Sequence, residues 1–198
     1  MKVAATRQGK TNRKAQIVAA AEELMRERGI SGVTTRAVAE AVPCSEGAIY
    51  VHFEDRLDLL LAVLDASLPE MLVPLHALRE KVGKDTPEQN LVVALKGLLR
   101  FHQRVAPMLC SLVTEPRLLD RFRISLAGGD KGPHRGVQTL ANYLLEEQRL
   151  GRISPDVDAK TAAGALMASS FFDSFTQVLL GSASKLDAKK LVRLSLRG

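Results

Sequence analysis

Tryptophan is absent, and Phe and Tyr together leave aromatics at 4% of the 198 residues. Any core must therefore be filled by Leu, Ala and Val, a composition that favours helices over strands. Two cysteines, Cys44 and Cys110, cannot supply a disulfide framework. No stretch approaches the roughly 18 uninterrupted apolar residues of a membrane span. The opening MKVAATRQGKTNRKAQ has no apolar run behind its basic residues, unlike a secretory signal. A cytoplasmic protein without a membrane partner is expected. The four histidines, His52, His76, His102 and His134, are accompanied by no nucleophile turn and no paired metal motif. No enzymatic activity, catalytic residue, metal or cofactor is therefore expected.

What is present is charge of one sign at both ends. Residues 1–14 carry Lys2, Arg7, Lys10, Arg13 and Lys14 with no acid, and residues 181–198 carry five basic residues against Asp187, whereas the whole chain is only +6. The stretch between them is therefore net acidic. A basic, flexible arm over 1–12 suits phosphate contact; a solvated terminus that keeps the protein soluble is the plainer reading.

Periodicity divides the rest into helices. From Arg13 to Arg28, Ile17, Ala20, Ala21 and Leu24 share one face, and Gly29 ends the segment. Thr34 or Thr35 caps a second helix with Val38, Ala39 and Val42 inward, and Pro43 stops it. Ser45 caps a third, with Glu46 in its first turn at the positive end of the helix dipole. A fourth helix starts near Asp55 and is expected to bend or break at Pro69 and Pro74. A fifth carries Leu91, Leu95, Leu98 and His102 and should stop around Pro107, followed by one or two short helices interrupted at Pro116. The loop Gly128-Gly129-Asp130-Lys131-Gly132-Pro133 lacks the spacing of a phosphate-cradling glycine loop. Further helices run from Val137 to Gly151, from Pro155 to about Leu180, and from Leu186 to Leu196. The expected fold is all-α: a three-helix helix-turn-helix domain over 13–56, then a helical ligand-binding and dimerisation domain over 57–198.

Two short helices around Val42-Pro43-Cys44 have the form of a helix-turn-helix, whose second helix enters the DNA major groove. In order, Arg28-Gly29-Ile30, Thr34-Thr35-Arg36-Ala37-Val38-Ala39, Ser45-Glu46-Gly47-Ala48-Ile49-Tyr50-Val51-His52-Phe53 and Arg56-Leu57 resemble the tetracycline-repressor (TetR) family of bacterial transcriptional regulators. Beyond about residue 60 the resemblance is confined to helical layout and to Leu150-Gly151-Arg152-Ile153. It implies a homodimer on a palindromic double-stranded DNA operator, released by a small-molecule effector. It also implies roles: Thr34 and Arg36 at phosphates, Ser45, Glu46, Gly47 and Ala48 at bases or backbone, Tyr50 and His52 at phosphates, and Arg56 where the family often has a phosphate-binding lysine. Thr35 joins this candidate set. Pro43, Cys44 and Ala37 depart from the family's usual glycine, apolar residue and acid.

Glu46 could accept from cytosine N4 or simply partner the helix dipole in solvent, and the ring of Tyr50 could be core. Candidate pocket residues are Phe101, His102, Met108, Leu112, Phe122, Met167, Phe171 and Phe175, for each of which core packing is the plainer reading. A pocket so lined would take a largely apolar small molecule. Cys44 reads as a small hydrophobe with no visible activating group. The alternative function is a helical small-molecule- or partner-binding protein that binds no operator.

Overall fold

Helix ends in this chain are set by side-chain caps and by glycines, and most stand where the pattern puts them. The computed structural model describes residues 2–128 and 132–197, with the side chains of 13–127, 132 and 134–197. The described residues form nine α-helices and no strand. They are α1 (Lys2–Arg28), α2 (Thr35–Ala41), α3 (Glu46–Tyr50), α4 (Arg56–Lys81), α5 (Pro87–Leu112), α6 (Pro116–Gly128), α7 (Pro133–Arg149), α8 (Ala159–Leu180) and α9 (Ala188–Ser195), with a 3-10 turn at Ile30–Gly32.

Several expected boundaries move. The arm expected to be flexible over 1–12 has a helical backbone from Lys2, continuous with α1. Both α4 and α5 run through their prolines, so Pro107 does not stop the fifth helix. A proline removes one backbone bond, and burial of Val105, Ala106, Met108 and Leu112 on either side outweighs that loss. Pro116 begins α6 rather than interrupting a helix; at a first turn its missing N–H would have had no partner. The last long helix begins at Ala159, where Asp158 accepts from Thr161 N–H, and not at Pro155. Part of the glycine loop, residues 129–131, lies outside the described residues.

Contacts sort the chain into two units, Met1–Ala66 with Pro107–Ile124, and Ser67–Ala106 with Ser125–Gly198. The first therefore extends past the boundary expected between residues 56 and 57 and recruits a distant segment. Its core is Ile17, Ala21, Leu24 and Met25 from α1, then Ile30, Val33, Val38, Ala39, Val42, Ile49, Phe53 and Leu57. Gly29, at φ 69°, turns the chain out of α1 in a conformation that side chains resist.

In the second unit, Met71, Leu75 and Leu78 of α4 are buried with Leu91, Leu95 and Leu98 of α5, Leu140 and Leu144 of α7, and Ala163 and Leu166 of α8. Among the described residues α4 alone is long and apolar enough to cross a bilayer. Its Asp58, Asp65 and Glu70 and these buried side chains mark a core helix of a folded domain instead. Glu147 is fully buried, accepts from Gly83 N–H at 3.1 Å and pairs with Arg152 Nε at 3.1 Å. Asn90 donates to Lys84 O at 2.9 Å and to Tyr143 Oη at 3.0 Å, and burial pushes the Tyr143 phenol up. A buried carboxylate persists only when paired and hydrogen-bonded, so this network ties the 82–86 loop to the turn at Leu150–Ile153.

One face of α8 stays exposed among the described residues. Ala165, Ala168, Phe172, Phe175 and Leu179 are all exposed, and their alternating three- and four-residue spacing is that of a coiled-coil seam. Phe172 is 65% and Leu179 67% exposed.

Helices α4 and α5 approach closely at Gly97, where an added Cβ would lie 2.3 Å from Pro74 Cγ and 2.8 Å from the Glu70 carbonyl oxygen. Gly97→Ala should therefore destabilise the protein by about 1–3 kcal/mol through overpacking, although alanine is the better helix former. Chemical denaturation measures this directly, and an unchanged or raised midpoint contradicts the close packing.

Candidate nucleic-acid interface

The helix-turn-helix is fastened at both helix starts. Thr34 Oγ1 accepts from Ala37 N–H at 3.1 Å and Ser45 Oγ from Ala48 N–H at 3.3 Å. Each bond satisfies a backbone donor that the first helical turn leaves open. Between them Cys44 N–H reaches the Ala39 carbonyl at 3.2 Å, so the Val42-Pro43-Cys44 turn closes without a glycine. Val38, Ala39, Val42, Ile49 and Phe53 anchor the pair from beneath.

This anchoring leaves one surface outward. Arg36, Ser45, Glu46 and Gly47 are exposed, Thr35 and Ala48 half-buried. Tyr50 is 56% exposed, so its ring is presented and not buried as core. Beside it Val51, 65% exposed, belongs to the same surface; pattern reading passed over it because an apolar residue there reads as interior. Thr35 Oγ1 donates to Glu46 Oε2 at 2.9 Å, tying α2 to α3. Arg36 Nε pairs with Glu40 at 3.1 Å on the open surface, where such pairs contribute little and are easily exchanged for a phosphate.

His52 is half-buried and lines an open concavity of about 620 Å³ with Lys14, Val18, Glu22 and Asp65. The Lys14 ammonium lies 5.1 Å from the Phe53 ring centroid, within cation–π range. The described residues contain no cluster suited to a metal.

Arg56, expected at a phosphate, has its guanidinium committed inside the unit. It grips Glu115 through Nη1 at 3.0 Å and Nη2 at 3.2 Å, and Nη2 also donates to the Ile30 carbonyl. Alongside, Arg121 pairs with Asp55 at 2.6 Å. Burial tends to raise the Asp55 carboxyl, but the Asp58 N–H and the Arg121 guanidinium outweigh it and hold it below its usual value. These two pairs join the start of α4 to α6 and explain why Pro107–Ile124 belongs to this unit.

The candidate pocket residues do not form one set. Met108, Leu112 and Phe122 are buried in the first unit, while Phe101, His102, Met167, Phe171 and Phe175 belong to the second. His102 is buried beside Ser170, Nδ1 to Oγ at 2.8 Å, with the Phe101 and Phe171 rings 5.4 and 5.6 Å away. Burial brings it down to about 4, so it is a neutral histidine at physiological pH. Phe175 lies instead on the exposed seam of α8. Cys44 and Cys110 are free and half-buried, and burial pushes the Cys110 thiol up.

Residues 17–63 match the family model described as bacterial regulatory proteins, tetR family. The chain is 36% identical over 168 residues to the HTH-type transcriptional regulator TtgR of Pseudomonas putida, covering 78% of this chain and 75% of that one. It is 29% identical over 164 residues to the HTH-type transcriptional repressor BepR of Brucella suis, covering 77% and 74%. Among solved structures, Salmonella enterica GusR superposes with a TM-score of 0.67 at 20% identity, covering 93% of each chain. SmeT, the repressor of the Stenotrophomonas maltophilia multidrug efflux pump SmeDEF, does so with 0.64 at 19%, covering 92% of this chain and 86% of that one. At such identities the structural likenesses bear on fold alone.

Two outcomes follow from the geometry. Arg56 and Glu115 should show a coupling energy of about 1 kcal/mol or more in a double-mutant cycle, and Arg56→Lys should not restore it, since one ammonium cannot make the paired contacts; additive single mutants contradict the clasp. His102 is neutral in the folded protein and charges near its ordinary 6.5 when unfolded. Its contribution is therefore full above that pH and is lost as pH falls toward 4, by about 2 kcal/mol between pH 7 and 5. His102→Asn should flatten the stability profile across that interval, as measured by denaturant titration; an unaltered slope is the contrary result.

Proposed function

This chain belongs to the tetR family of bacterial regulatory proteins, DNA-binding regulators of transcription, and we propose that it acts as a homodimeric repressor released from a palindromic operator by a small, largely apolar ligand. The observation that carries the DNA-binding part is the uncovered outward surface of α3. Glu46, Gly47 and Tyr50 are exposed on a helix held from below by Ile49 and capped by Ser45, and Val51 is exposed just after it. A second helix of this kind presents its first turn to base edges while neighbouring residues fix register on the phosphates. Thr34, Arg36, Tyr50 and His52 are the proposed phosphate contacts, with the basic residues of 2–14 adding charge. Arg56 acts one step back, holding the end of α1 and α6 together beneath the reading head.

The apolar seam of α8 supports the dimer. Ala165 and Ala168 allow close helix approach, and Phe172, Phe175 and Leu179 are large apolar groups left exposed among the described residues. Two copies meeting along this seam bury it symmetrically, as an isologous interface requires. An effector of apolar character would have to open the apolar interior of the second unit, where His102 and Ser170 are the bonded polar pair.

Footprinting should reveal a palindrome whose half-sites lie about one helical turn, or a multiple, apart. Arg36→Ala should weaken binding to all sequences and lower the salt slope by about one unit. Phe172→Glu should yield a monomer in sedimentation and lose operator binding with its fold intact by circular dichroism. Asymmetric single-site protection, or a dimer that survives Phe172→Glu, speaks against the proposed assembly.

A further inference from the structure

We infer that Glu46 reads a cytosine in each half-site and that Thr35 is the positioning residue that holds it there. This inference rests on the operator-binding reading above and assigns its base specificity. The first turn of α3 offers few groups that can hydrogen-bond to a base. Ser45 Oγ accepts from Ala48 N–H and is held close to the backbone with only its O–H to offer, Gly47 and Ala48 carry no polar side chain, and Ile49 is buried. Glu46 is exposed, polar and long enough to reach outward.

Its carboxylate is not left to wander. Thr35 Oγ1, at the first position of α2, donates to Glu46 Oε2 at 2.9 Å across eleven residues of sequence. One oxygen is thereby held, and Oε1 is left to accept from a group outside the chain. Such a bond removes rotamer freedom before DNA arrives, so less is lost on binding. Space beside it is clear as well. A Cβ at Gly47 would meet only Ser45 Oγ, at 3.8 Å, so the fold itself does not demand a glycine there. The missing side chain allows an edge of DNA to come close beside Glu46.

Charge then decides which edge. A carboxylate among phosphates is repelled by every DNA sequence, and this loss is offset only where a base presents an N–H donor. Guanine offers O6 and N7 acceptors in the major groove, and thymine offers O4 and a methyl group. Adenine pairs its N6 donor with an adjacent N7 acceptor, which opposes a second carboxylate oxygen. Cytosine presents its N4 donor with no neighbouring acceptor of its own. A fixed Glu46 therefore favours cytosine and disfavours the other three.

The test is selection of bound sequences from a random double-stranded DNA library with the full chain and its variants. The parent should select a palindrome with a cytosine preference at one position of each half-site. Glu46→Ala should reduce that preference about 10-fold, leave the other positions unchanged and bind unselected DNA at least as tightly. Glu46→Gln should move the same position toward adenine, whose N6 and N7 match an amide. Thr35→Val keeps the side-chain shape, removes the donor, and should blunt the preference at that position alone; Thr35→Ser should restore it, which a merely structural role for Thr35 does not anticipate. Unchanged base preferences in Glu46→Ala, with operator selection intact, overturn this inference alone. A parent chain that selects no sequence overturns the operator-binding reading together with it.

Discussion

A helix of five residues has no stability of its own. Closing its first turn fixes several dihedral angles for a single hydrogen bond, and isolated helices of that length do not persist in water. The proposed reading surface of this protein is nonetheless α3, Glu46–Tyr50. It exists because Ser45 caps it, Ile49 and Phe53 bury its underside, and Thr35 reaches across from α2. Helix, turn and cap are therefore a consequence of the small core built by α1, and damage to that core should appear first as lost presentation of α3.

That dependence explains the use made of cations. The stretch from Thr34 to Phe53 holds Arg36 as its only Lys or Arg against Glu40 and Glu46, so it cannot hold a polyanion unaided. Arg56 is the next cation along and is spent on Glu115 and the Ile30 carbonyl, where a planar guanidinium can serve a carboxylate and a backbone oxygen at once. Its position just after α3 makes it a brace for the end of α1. In the proposed operator complex the electrostatic grip would fall to Arg36 and to the acid-free run of basic residues up to Lys14, and a dimer would double it.

Local signals in the sequence were sufficient for the head. A cap needs only an oxygen and the N–H three residues on, so Ser45 could be placed by pattern and the second cap narrowed to Thr34 or Thr35, which the structure settles as Thr34; the turn-closing Gly29 and Gly151 were legible too. Pro107 misled, because its local preference to end a helix was overridden by burial around it, and α4 likewise does not break at Pro69 or Pro74. Asp158 displaced Pro155 as the start of α8 by the same kind of cap, its carboxylate accepting from Thr161 N–H, a signal that the nearby proline obscured. The Arg56–Glu115 pair spans 59 positions and leaves no periodic trace. Nor could spacing distinguish Phe171, beside buried His102, from Phe172, facing out on the seam.

The second unit raises a different question, because several of its buried polar side chains already hold one another. His102 holds Ser170, Asn90 holds Tyr143, and Glu147 holds Gly83 and Arg152. A ligand that inserts at His102 must replace the bond to Ser170 with one of its own, since an unpaired buried group costs about 1–3 kcal/mol. A purely hydrocarbon effector is thus at a disadvantage at this position. An apolar body carrying one hydrogen-bonding group can face Phe101 and Phe171 and also satisfy His102 or Ser170. Because His102 is neutral at physiological pH, that group can be a neutral donor or acceptor, and a permanent charge would find no counter-ion in the imidazole.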